Sequence, residues 1–228
     1  MKTTLIQWMK ERPHIWAALF LLVYLAGFIL IEHVSFSDYY VCHIPLDDYI
    51  PFCEWFIFPY VLWYPYLAAL GFFLIAQKDG EEFYRYMAFV FGSMTLCILI
   101  YFIFPNCQDM RPQVLPRDNI ATRLLASIYS ADTSTNVLPS MHVLASMEIH
   151  AMVLKSRYAL LRKRSVRIVS FLCALLISLS TVFVKQHSIL DAFAAIALFI
   201  PLYFFFYGFD PIRRLISRHE RKKRKTEP

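Results

Sequence analysis

Residues 168–207 read IVSFLCALLISLSTVFVKQHSILDAFAAIALFIPLYFFFY, two apolar runs parted only by Lys185-Gln186-His187-Ser188. Crossing a bilayer takes about 20 mostly apolar residues, and each run is close to that length. So short a break makes the two spans a tight antiparallel pair with the polar residues at the turn. Asp191 follows His187 by four positions. On a helix that is a rise of about 6 Å and a rotation of roughly 40°, which puts both side chains on one face. Ionisable groups are expensive at membrane depth and mark sites there.

Working outward, four more runs have span-like composition. The expected spans are about 15–31, 55–76, 84–104, 140–154, 168–184 and 189–207, which makes the fold an all-α polytopic membrane protein, a six-helix transmembrane bundle in one domain. The whole chain is 58% hydrophobic, above the 45–50% or so of soluble domains. The first run is long and no small-residue cleavage site follows it, so it reads as a retained span and not a signal peptide. The fourth is short and carries Glu148 and His150, expected as a buried polar pair.

Charge sets the expected orientation. Of the 23 Lys and Arg, only Arg111, Arg117, Arg123 and Lys185 fall on the side of the His187 turn. The positive-inside rule then makes both termini cytoplasmic and puts the His187 end on the outer face, with the bacterial plasma membrane as the expected location. The basic tail, 212–228, reads as a juxtamembrane anchor on anionic lipid and not as a nucleic-acid site. No CxxC or other metal-ligand spacing occurs, and no cofactor or metal is expected. Cys42 and Cys53 form a disulfide only if their side is oxidising. His33, His43, Asp47 and Asp48, in the first outer loop, read by default as solvated, with a lid or head-group contact as the alternative. The oligomeric state has no signal.

Three groups of residues gather at that outer end: Arg111-Pro112, Pro139-Ser140-Met141-His142, and His187 with Asp191. Taken alone, His187 and Asp191 read as a helix-stabilising pair; with His142 and Arg111 beside them they read as a site. An imidazole held in one tautomer by a carboxylate can attack phosphorus, and a second imidazole can protonate the leaving alkoxide. The phosphoryl oxygens then need donors and positive charge. Arg111, Lys185 and Ser140 at a helix start are the candidates, with Arg117 weaker.

These three motifs, in this order between Tyr84 and Tyr207, resemble the type 2 phosphatidic acid phosphatase superfamily, which includes lipid phosphate phosphatases and inositol-phosphorylceramide and sphingomyelin synthase relatives. The resemblance implies that His187 is the nucleophile, Asp191 its orienter, His142 the general acid, and Arg111 and Ser140 phosphate ligands. It implies a lipid phosphatase acting on a lipid phosphate or pyrophosphate through a phosphohistidine. The phosphatase pattern has a Lys seven residues before the Arg-Pro arginine, where this chain has Phe104, and an Arg six before the nucleophile, where it has Thr181. With fewer cations, the alternative is a phosphotransferase that moves a phospho-head group between lipids. A third reading is a non-catalytic lipid-binding membrane protein.

Overall fold

The computed structural model describes Met9 and residues 11–226, with side chains through Arg218. Lys2, Lys10 and the side chains of the tail beyond Arg218 lie outside the described residues. The chain is mostly helical: α1 Pro13–His33, α2 Pro45–Asp48, α3 Glu54–Ile75, α4 Glu81–Ile103, α5 Ile120–Ala131, α6 Met141–Lys155, α7 Ala159–Arg162, α8 Arg164–Phe183, α9 Ile189–Tyr203 and α10 Pro211–Thr226. A π turn over Phe204–Phe209 continues α9, and Asp210, in a left-handed conformation with φ 49°, sets off α10. Two short strands, β1 Tyr40–Val41 and β2 Asn106–Cys107, pair in parallel.

Among the described residues, five helices are long and apolar enough to cross a membrane: Pro13–His33, Glu54–Ile75, Glu81–Ile103, Arg164–Phe183 and Ile189–Arg218. The expected sixth span is α6, and it falls short. Its 15 residues rise about 22 Å, less than the roughly 30 Å of a hydrocarbon core. The reason lies in its surroundings. Leu144, Ala145, Ser146, Glu148 and Ile149 are fully buried, because α6 is the axis on which α8, α9, α3 and α4 pack. A helix enclosed by protein needs neither full span length nor an all-apolar surface. Glu148 therefore meets Ser93 Oγ at 2.8 Å, and His150 Nδ1 meets Ser170 Oγ at 3.0 Å. The two histidine and glutamate side chains have separate partners and do not form a pair with each other.

The outer helices are built the opposite way. Leu22, Val23, Ile29 and Leu30 on α1, and Val169, Phe171, Leu172 and Leu176 on α8, face outward. Exposed apolar surface on this scale is unfavourable in water by roughly 25 cal/mol per Å² and suits a bilayer. A further expectation is corrected here. Although only five residues join α8 to α9, the two helices do not pack extensively on each other; both lie against α6. The turn between them is tight because the N–H groups of Gln186 and His187 both donate to Thr181 O, at 2.9 and 3.0 Å.

Candidate functional site

The start of α6 and the start of α9 abut. Ser140 caps α6, with its Oγ 3.5 Å from Val143 N, and its own N–H donates to Asp191 O at 3.1 Å. Ser188 caps α9, with Oγ accepting from Leu190 N at 3.0 Å, while Asp191 reaches back to Ser188 N at 3.0 Å. This reciprocal cap satisfies N–H groups that a helix start leaves free. It also brings the first turn of α6 and the residues just before α9 to a cavity of about 290 Å³.

His187 is buried there. Its Nδ1 lies 3.0 Å from Val137 O and 3.1 Å from Asp191 Oδ2. A carbonyl oxygen only accepts, so Nδ1 carries the proton, and a neutral ring keeps its lone pair on Nε2. Nε2 makes no hydrogen bond among the described residues. The ring of His142 stands 5.9 Å away, centroid to centroid, and lies between Tyr60 at 4.4 Å and Trp63 at 4.5 Å. Neither nitrogen of His142 is hydrogen-bonded among the described residues, and Nε2 is buried without a partner. Both histidines line the cavity. One imidazole with a fixed tautomer and one unengaged imidazole can exchange protons with, or attack, a group held between them.

The expected anion ligands sit differently. Ser140 is fully buried and occupied in capping. Lys185, held at φ 51°, donates from Nζ to Asp47 O at 2.9 Å, and its partial burial moves its pKa down. Arg111 lies across the Tyr129 ring at 4.6 Å and donates to Tyr129 O at 3.2 Å, to Thr133 O at 2.6 Å and to Gln186 Oε1. Burial moves its pKa down as well. Arg117 is exposed and paired with both oxygens of Glu54 at 2.9 Å. None of these four lines the cavity. Arg111 touches it through a relay: Gln186 Nε2 donates to Asp132 Oδ2 at 3.2 Å, and Tyr60 OH, whose ring stacks on His142, donates to the same oxygen at 3.1 Å.

Three residues of the site, Asn106, Asp132 and Glu32, carry no signal in the sequence, and a fourth, Asp47, departs from its default expectation. Asp47, 2% exposed, is not solvated. Its carboxylate accepts from Ser188 Oγ at 2.6 Å, Ile189 N at 2.8 Å and Ile44 N at 2.9 Å, so α2 clamps the start of α9. Asn106, fully buried, accepts from Val137 N and Leu138 N at 2.8 Å each and donates to Leu138 O at 3.2 Å. It thereby shapes the segment that offers Val137 O to His187. Asp132 and Glu32 line the cavity as well. Cys42 and Cys53 are free thiols, not bridged; Cys42 is buried beside Asp191, and burial moves its pKa up.

Comparison with protein-family models, curated proteins and solved structures found no match. The chemistry of the site therefore rests on its own residues. The cavity is amphiphilic: Leu21, Leu25, Phe28, Leu67 and Met94 line an apolar part, while the histidines, Gln186, Asp132 and Glu32 supply the polar one. Among the described residues no Lys or Arg lines it, and no cluster of His, Cys, Asp and Glu is arranged to hold a metal ion.

Proposed function

We propose that the chain is a membrane enzyme that breaks a phosphoester of a lipid through a covalent intermediate on His187. The observation that carries this is the His187 ring, fixed in one tautomer by Val137 O and Asp191, facing an unengaged His142 at one cavity. Nε2 attacks phosphorus and the P–O bond to the lipid alcohol breaks. Its electron pair goes to that oxygen, which takes a proton from His142, entering the step as imidazolium and leaving it neutral. In the second step His142 removes a proton from water as the water oxygen attacks phosphorus, and the P–N bond breaks with its pair returning to Nε2. Asp191 stabilises the imidazolium character that develops in the first step. The apolar lining suits the acyl part of the substrate. These roles are the ones implied by the resemblance to the type 2 phosphatidic acid phosphatase superfamily. In this reading α6 is a sixth span sheltered by its neighbours, the termini are cytoplasmic and the site opens to the outer face.

One observation favours transfer to a second alcohol over release of phosphate. A phosphomonoester carries close to two negative charges near neutral pH, and a phosphodiester carries one. A cavity wall with two carboxylates and, among the described residues, no lysine or arginine suits the lower charge, and the intermediate then keeps its head group until a lipid alcohol takes it.

The test is turnover by the purified full-length chain in mixed micelles, reading free phosphate, diacylglycerol and new phospholipid, with His187→Ala beside it. The expected result is product formation that falls by at least 10³-fold in the variant and a ³²P label that stays on wild-type protein as acid-labile phosphohistidine. Full activity in His187→Ala would falsify the reading.

A further inference from the structure

The polar end of the cavity is acidic, and two of its acceptor oxygens have no donor among the described residues. Thr133 gives Glu32 both its hydroxyl, 2.6 Å from Oε2, and its N–H, 3.4 Å from the same oxygen. Asp132 directly precedes Thr133, so the two carboxylates are held on one rim, close enough that Glu32 opposes ionisation of Asp132. Asn136, at φ 61°, donates from Nδ2 to Glu32 Oε1 at 3.0 Å. That bond orients its amide, because a carboxylate oxygen only accepts. Asn136 is 8% exposed, lines the cavity, and its Oδ1 has no partner. Asp132 Oδ1 accepts no hydrogen bond among the described residues; both bonds to this carboxylate end on Oδ2. At the same cavity, Trp63 Nε1 is a buried donor without a partner. Leaving a buried polar atom unpaired, as Asn136 Oδ1 and Trp63 Nε1 are, costs about 1–3 kcal/mol, and such atoms call for an explanation.

A single ligand explains both sets. We propose that the cavity takes a phosphodiester lipid whose head group ends in a primary ammonium. A primary ammonium has one positive charge and three N–H donors. Glu32, Asp132 Oδ1 and Asn136 Oδ1 supply negative charge and three acceptors. The phosphoryl oxygens take the Trp63 N–H and lie between the histidines. A quaternary ammonium has no N–H to give and would leave Asn136 Oδ1 and Asp132 Oδ1 unpaired. A glycerol head group brings no charge to offset the two carboxylates. This identity of the head group rests on the lipid-phosphoester reading above.

The test separates binding from turnover. The full-length His187→Ala protein in detergent is titrated with short-chain phosphatidylethanolamine, phosphatidylcholine, phosphatidylglycerol and phosphatidic acid, and with glycerophosphoethanolamine, which lacks the tails. Binding is read by calorimetry. The expected result is that phosphatidylethanolamine binds at least tenfold more tightly than each of the others. Glu32→Gln, added to the same background, should bring that ratio towards one. Equal or tighter binding of the choline, glycerol or phosphatidic acid lipid overturns the proposal. Equal binding of the tailless ester overturns its lipid part. Because no turnover is needed, a wild-type chain that binds ethanolamine lipid and never cleaves it refutes the enzyme reading and leaves the head-group assignment standing.

Discussion

Asp47→Asn is the sharpest probe of how the His187 turn is held. The native carboxylate accepts from Ile44 N and Ser188 Oγ through Oδ2 and from Ile189 N through Oδ1. An amide has one acceptor oxygen. With that oxygen towards Ile189 N, its NH₂ faces the Ile44 N–H; turned over, the NH₂ faces the Ile189 N–H. Either way one buried backbone donor loses its partner, at about 1–3 kcal/mol. Removing the negative charge from the N-terminus of α9 adds about 0.3–1 kcal/mol. The expected loss is about 1–4 kcal/mol, or on the order of 10 °C in Tm for a chain of this length. Thermal unfolding in detergent, followed by tryptophan fluorescence, measures it. Asp48→Asn is the matched control. Asp48 is exposed and pairs with His43 at 2.8 Å on the surface, so its loss should stay within about 1 kcal/mol. Equal Tm values for the two variants, or an Asp47→Asn protein within about 2 °C of wild type, would refute the clamp.

Asp132 gives a pH signature. Its carboxyl is shifted above the ordinary carboxylate range, first of all by burial. A folded pKa above the unfolded value of about 3.9 means that the folded state binds the proton more tightly. The penalty of ionisation is therefore absent below that value, grows as pH rises through the folded pKa and is full above it. Asp132→Asn keeps an oxygen for Tyr60 and Gln186 and should be more stable than wild type near neutral pH, with the gap closing towards pH 4; Tm measured against pH for the ligand-free proteins checks this. At the other end of the bundle, a Cβ on Gly80 would stand 2.5 Å from Cβ and Cγ of His14. His14 is buried there with Nε2 3.1 Å from Ile75 O, so Gly80→Ala should destabilise by about 1–3 kcal/mol, read from the same melts.

What the sequence reveals here is what local chemistry encodes. The five long helices are legible as apolar runs, and the four-residue spacing of His187 and Asp191 points to their contact, although His187 lies before the start of α9, beyond the extended cap Ser188, so the two meet across the capping turn and not along one helical face. The polarity of Glu148 and His150 already separates α6 from the lipid-facing helices, though it does not say that the other helices wrap it. The Lys185 and Arg111 cations are visible near the site, but their partners are not. Lys185 meets Asp47, 138 residues away, and Arg111 meets Gln186, 75 residues away; no periodicity carries such pairings. Counting cations without those partners points to an anion cradle. With the partners known, Arg111 is hydrogen-bonded to Gln186 and reaches Asp132 through that relay and by its charge, without lining the cavity, whose own carboxylates are Glu32 and Asp132. Asn106 and Glu32 are silent for the same reason, since each acts by closing a loop onto a distant segment.

The enclosed position of α6 bears on how the chain enters a membrane during synthesis. When α6 emerges, α1, α3 and α4 already exist, but α8 and α9, on which it packs most extensively, have not been made. With its short length, Glu148 and His150, α6 is a poor substrate for insertion by itself. Its burial must wait for α8, and the site at its first turn is completed only when the start of α9 arrives to bind Ser140 N. A nascent chain halted before residue 164 should leave α6 accessible to a membrane-impermeant reagent, and one extended past residue 207 should protect it.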